Sequence, residues 1–201
     1  MNKTGQKKIA MIHSMAGYGR CSITAAIPVI SALGVQCCPV VTSILSSHTG
    51  YPNGYFDDYT ERMVPYIEEW KRQGFTFDGI ATGFLGSVRQ VQIVTDFISH
   101  FKQEGTRLLV DPVLGDNGRF YRTCTPELCE GMRELIQYAD VITPNLTEAC
   151  ALTETPWREK GWTRRELSDL AYKLLFMGPG AVVLTGVVKG HSILNVVLER
   201  G

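Results

Sequence analysis

Compact apolar runs alternate along the chain with longer stretches whose apolar residues recur every three or four positions. The first kind predicts buried strands and the second amphipathic helices. Ile9, Ala10, Met11 and Ile12 form the core of a strand over residues 8–14, followed by a glycine-containing turn at 16–20. Ser22 is placed to cap a helix that runs to Leu33 and ends at Gly34, with Pro28 near its start. Residues 35–44 read as a second buried strand, and residues 46–54 as a long polar loop. A loop of that length is uncommon as a plain connection and hints at function. Met63, Ile67 and Trp70 mark a helix over 58–73, and residues 77–82 a third strand. Ser87 and Gln90 make a capping-box pattern ahead of a helix whose apolar face is Val91, Val94, Ile98 and Phe101.

The same alternation continues to the end. Residues 108–111 predict a strand, and Thr125-Pro126 a helix start ahead of Leu128, Met132, Leu135 and Ile136. Residues 140–143 predict a strand stopped by Pro144, and Asn145 with Glu148 opens a further helix. Thr163 and Glu166 form a second capping box before Leu167, Leu170, Leu174 and Leu175, and strands follow at 181–185 and 193–198. Alternating strands and helices predict an α/β fold with a mostly parallel sheet and helices on both faces. The expected strand ends are Ser14, Thr82-Gly83, Asp111, Thr143 and Thr185. In a parallel sheet these polar or small residues share the carboxyl edge, where open α/β sheets bind ligands.

Composition narrows the function classes. At 201 residues, 44% hydrophobic and 20% charged, the chain reads as one globular domain over 1–201. Its formal net charge is zero with no basic block, which argues against nucleic acid and anionic membranes as partners. No apolar run approaches the length of a membrane span. The six cysteines form no CxxC, so reduced thiols and a cytoplasmic location are expected.

Two stretches carry candidate chemistry. Asp111, at the end of its strand and held out of helical conformation by Pro112, is followed on a glycine-rich loop by Asp116. Glu148 stands on the first turn of the helix that Asn145 caps. Such acids suit a hydrated magnesium ion beside phosphate, because magnesium takes few protein ligands and keeps several waters. The plain alternative is a turn former at Asp111 and a cap at Asn145 and Glu148; the two readings are compatible. Gly17-x-Gly19 lacks the third glycine and the acid of a dinucleotide fingerprint, and no P-loop, HExxH or GxSxG occurs.

Asp111-Pro-Val-Leu-Gly-Asp116 and Thr143-Pro-Asn-Leu-Thr-Glu148 resemble the paired signatures of the pyridoxal kinases of the ribokinase-like superfamily. Ser47-His48-Thr49-Gly50-Tyr51 looks like that family's substrate loop, and Thr82-Gly83-Phe84-Leu85-Gly86-Ser87 like its third-strand motif. The resemblance implies transfer of phosphate from ATP, with magnesium, to the 5′-hydroxyl of pyridoxal, pyridoxine or pyridoxamine. It implies vitamin contacts at Ser14, Leu45, Thr49, Gly50 and Phe84. It implies nucleotide contacts at Asp111, Asp116, Tyr121, Thr143, Glu148 and Thr185, with Asp111 and Glu148 organising the metal. A homodimer is also implied.

The chain departs from that pattern in three places. The turn after Ser14 is a residue short, and Cys21-Ser22 replaces its customary Gly-Asn. Phe84 stands where Tyr is usual. The family's Gly-x-Gly-Asp segment, which supplies an anion hole and the catalytic base, does not occur among the 201 residues. The expected base therefore lies beyond Gly201, with the chain covering the amino-terminal two-thirds of the family's length. The alternatives are a catalytically incompetent protein that binds vitamin B6 or nucleotide, and a hydroxymethylpyrimidine kinase.

Overall fold

The first strand, β1 (Lys8–Tyr18), continues past Ser14, its predicted end, because its pairing with the next strand goes on through Met15, Ala16 and Tyr18. The turn expected at 16–20 shrinks to the residues around Gly19, whose positive φ of 115° ends the strand. The structure, a computed structural model, describes residues 5–48, 50–51 and 53–200. Contacts divide it into two compact units, Met1–Arg107 and Leu108–Gly201.

In the first unit, β1 is followed by α1 (Ser22–Ala32), β2 (Gln36–Ser47), β3 (Phe56–Asp58), α2 (Thr60–Arg72), β4 (Gly79–Thr82) and α3 (Val88–Phe101). The strand order is β3-β2-β1-β4; β1 lies parallel to β2 and β4, and β3 runs antiparallel to β2. β3 was not expected, and it takes Asp58 from the start of the helix read over 58–73: Phe56, Asp57 and Asp58 pair with Leu45, Ile44 and Ser43, giving a short acidic edge strand with no sequence run of its own. Ala10, Ile12, Ser14 and Ala16 alternate as the buried face of β1. On α3, Phe97 and Phe101 stack with Phe77, and Trp70 of α2 packs on Phe77 and Phe97.

Two expected caps differ. Ser22 is the first residue of α1 rather than its cap; Cys21 takes that place without a side-chain bond, and the Ser22 hydroxyl faces Ser14. Ser87 does cap α3, but Gln90 does not reach back to it. The Gln90 amide instead accepts from Gly86 N and donates to Thr42 O and Thr60 Oγ1, tying α3 to β2 and α2.

The second unit contains β5 (Arg107–Val110), which crosses the division, then β6 (Gly115–Asp116), β7 (Arg119–Phe120), α4 (Pro126–Ile136), β8 (Val141–Ile142), α5 (Leu146–Leu152), α6 (Arg164–Phe176), β9 (Ala181–Lys189) and β10 (Ser192–Glu199). The order β5-β8-β9-β10 is parallel except for β10, which folds back on β9. β9 therefore passes Thr185, its predicted end, because β10 supplies partners as far as Lys189. Thr125, Asn145 and Thr163 cap α4, α5 and α6, and the last two close full capping boxes. β6 and β7 form a hairpin where a plain loop was expected. Asn117 and Gly118 have φ of 49° and 74°, the conformation a two-residue hairpin turn needs. Leu108, Val110, Leu114, Met132, Leu135, Ile142, Val182 and Leu184 are fully buried in this unit.

Candidate functional site

Each unit carries one group of the predicted residues. In the first, a β-bulge sets the geometry. His13 pairs with Val41 and Met15 with Ile44, so Ser14 alone faces both Thr42 and Ser43. Bulges of this kind re-aim side chains beside functional sites. Ser14 is buried; its hydroxyl lies 2.9 Å from Ser22 Oγ, and its amide donates to His13 Nδ1 at 2.8 Å. Phe84 is buried directly after β4; its carbonyl accepts from Thr42 Oγ1 at 2.8 Å and its amide donates to His13 Nδ1 at 3.3 Å. Leu45 is buried opposite Ala16. Gly50 is exposed and its amide donates to His48 Nδ1 at 3.1 Å; a Cβ there would strike the His48 ring. Thr49 lies outside the described residues.

His13 was not among the expected residues. A histidine one position before Ser14, with Gly83 at the end of a neighbouring strand, was the available signal. Burial holds the imidazole uncharged, with its pKa lowered to about 4.

In the second unit the two acids face each other. Glu148 is buried, with Oε1 accepting from Leu114 N at 3.2 Å and Oε2 from Asn145 N at 2.8 Å. Burial first, and the nearby Asp111 second, raise its pKa to about 8 against the opposing pull of those amides and of Gly115 N. Burial raises Asp111 to about 6, and a hydrogen bond from Thr143 works the other way. The capping box and the acid pair are thus one arrangement: the carboxylate that starts α5 is also the one beside Asp111.

Tyr121 belongs with them. Burial, then Asp116, Glu148 and Asp111 in turn, raise its phenol pKa. Asp116 is exposed and closes on its own turn, accepting from Asn117 N and Nδ2 at 2.9 and 3.0 Å. Thr185 joins the group through its backbone, donating to Pro144 O at 2.9 Å and bridging to Asn145. Thr147, not anticipated, anchors the hairpin by accepting from Gly118 N at 2.9 Å. The Asn-Gly turn was the signal for a hairpin in need of such an anchor. A cleft of about 970 Å3 in this unit is lined by Asp116, Asn145, Thr147, Trp157, Gly186 and Lys189, among others.

The donor set fits magnesium better than a structural metal. Among the described residues, no group of three or more His, Cys, Asp or Glu could hold an ion. Two oxygen donors, one of them already engaged with main-chain amides, suit an ion that keeps much of its water. Burial raises both carboxyls, and Asp111 raises Glu148 further, a strain that a cation would relieve.

Comparison with known proteins now decides the lineage. A family model described as phosphomethylpyrimidine kinase matches residues 17–201. The chain belongs to this family. A pyridoxal kinase of Leifsonia xyli is 29% identical over 189 residues, which is 90% of this chain and 64% of that protein. Two crystal structures of a candidate phosphomethylpyrimidine kinase from Bacteroides thetaiotaomicron align closely. One has 44% identity and a TM-score of 0.94, covering all of this chain and 69% of the other. The second holds pyridoxal and has 46% identity and a TM-score of 0.89, covering 93% of this chain and 65% of the other. The chain therefore spans under two thirds of the Leifsonia relative's length. Within the phosphomethylpyrimidine kinase family, the curated relative's name agrees with the resemblance of the Asp111 and Thr143 motifs to pyridoxal kinases. The α/β fold is ribokinase-like, as those motifs implied.

Proposed function

We propose that the chain serves ATP-dependent phosphorylation of the 5′-hydroxymethyl group of pyridoxal, pyridoxine or pyridoxamine. The observation that carries this reading is the pairing of partly buried Asp111, just after β5, with buried Glu148 on the first turn of α5, with Thr143 and Tyr121 beside them. Asp111 and Glu148 would hold hydrated magnesium, which when bound neutralises charge on the nucleotide phosphates. Asp116, Tyr121, Thr143 and Thr185 orient the nucleotide. Ser14, Leu45, Thr49, Gly50 and Phe84 receive the vitamin ring; that a Bacteroides relative of 46% identity holds pyridoxal supports a B6 ligand for the fold. These residues bind and orient; none is assigned as the catalytic base. A homodimer in the cytoplasm belongs to the same proposal. The six free thiols agree with a reducing compartment.

The test is calorimetric titration of the chain with ATP, with and without magnesium, and with pyridoxine. Binding of ATP that strengthens with magnesium, lost by roughly 10–100-fold in Asp111→Asn, supports the reading. Magnesium-independent ATP binding that Asp111→Asn leaves untouched would refute the metal assignment. A second reading, phosphorylation of a hydroxymethylpyrimidine, is favoured by the family model's description. Titration with 4-amino-5-hydroxymethyl-2-methylpyrimidine separates the two.

A further inference from the structure

The assignments above give no role to His13, beside Ser14 and Phe84. Nδ1 of His13 accepts from the amides of Ser14 at 2.8 Å and Phe84 at 3.3 Å. A neutral imidazole whose Nδ1 accepts carries its proton on Nε2. That N–H has no hydrogen-bond partner among the described residues, and the ring is only partly buried. The ring is also fixed in place: a Cβ on Gly83 would lie 2.1 Å from its Cδ2 and 2.4 Å from its Nε2. Glycine at 83 is thus the condition for the ring to lie where it does. Closing the Phe84 amide needs only the Nδ1 acceptor, which asparagine could supply. The Nε2 donor is what histidine adds. It stands beside Ser14 and Phe84, both assigned to the ring-binding group.

We propose that His13 is a specificity-determining residue whose Nε2–H donates to an oxygen on the acceptor ring, selecting an oxygen-substituted pyridine over an aminopyrimidine. This rests on the vitamin B6 reading given above. The carbon next to the one bearing the reactive hydroxymethyl group carries an oxygen-containing substituent in pyridoxal and pyridoxine. In the hydroxymethylpyrimidine it carries an amine. A fixed N–H donor pairs with the oxygen and opposes the N–H bonds of the amine, and specificity of this kind uses both attraction and mismatch. A protein in a family described by the pyrimidine substrate could favour the pyridine through this one side chain.

The test compares wild type with His13→Asn, whose side-chain oxygen retains an acceptor for the Ser14 and Phe84 amides. Pyridoxine and 4-amino-5-hydroxymethyl-2-methylpyrimidine are titrated calorimetrically into each, and thermal unfolding is followed in parallel. Expected is a loss of pyridoxine affinity of about tenfold, the scale of one neutral hydrogen bond, with aminopyrimidine affinity unchanged or raised. Should His13→Asn fold poorly, Gly83→Ala displaces the ring while keeping it, and the same selective loss is expected. Unchanged pyridoxine affinity in a folded variant overturns the proposal, as does an equal loss for both ligands, the mark of a merely structural role. A wild-type chain that binds neither ligand overturns the functional reading, and the proposal falls with it.

Discussion

His13 illustrates at the scale of one residue how burial reverses a familiar pH dependence. Its pKa falls from 6.5 to about 4 on folding, so between those values the unfolded chain binds the extra proton. Stability conferred by the neutral ring is complete above pH 6.5 and is lost as pH falls toward 4, by about 3 kcal/mol at about 1.4 kcal/mol per pKa unit. Urea midpoints of wild type and His13→Asn measured from pH 4 to 7 should therefore converge at the acid end; parallel profiles would refute the assignment. The hydroxyls of Thr82 and Ser43 are buried without a partner among the described residues. Thr82→Val removes an unsatisfied group, so it should raise stability by about 1 kcal/mol in thermal unfolding. A loss of that size would mean the hydroxyl has a partner. Asp111 and Glu148 were legible in the sequence because each stands at a marked break, a strand before proline and the third position of a capped helix. His13 was not, because its role depends on Gly83, which approaches it only through the β1–β4 pairing.

Among the elements, the helices were read most closely, since their caps and apolar spacing are local. Thr125, Asn145 and Thr163 each cap the helix that follows them. Gln90 shows the limit: Ser-x-x-Gln predicts a reciprocal box, but Gly86, Thr42 and Thr60 offer its amide buried partners that a sequence pattern cannot weigh. Strand lengths were read worst, because β1 and β9 are prolonged by the neighbours they pair with rather than by their own residues. β3 escaped notice for the same reason. The β6–β7 hairpin gives a sharp test. Gly118 has a φ of 74°, and a Cβ on it would lie 2.5 Å from the Trp157 ring. Gly118→Ala should cost at least about 1 kcal/mol of stability and loosen the hairpin. Unchanged thermal unfolding together with unchanged Trp157 fluorescence would show that the turn tolerates a side chain.

Over the whole chain, the absence of net charge leaves little electrostatic repulsion between molecules near pH 7. β3, at an edge of the first unit's strands, and β10, at an edge of the second unit's, differ in how they meet that situation. β3 is three residues long and two of them are acidic, a common protection of a sheet edge. β10 is eight residues long and exposes Ile193 and Val197 to 75% and 63%. Light scattering at pH 7 should show slower association for Ile193→Lys than for wild type, and equal rates would clear β10 of the charge. A different consequence follows from Glu148. The main-chain amides of Leu114, Gly115 and Asn145 all point at its carboxylate. In a nitrogen–proton NMR spectrum of the entire molecule, those three resonances share a single determinant, the charge on one side chain. They form an internal indicator: three peaks that shift together when a proton leaves Glu148, and together again when a cation arrives. The backbone itself would then record what occupies the acid pair, with no signal from the ligand required.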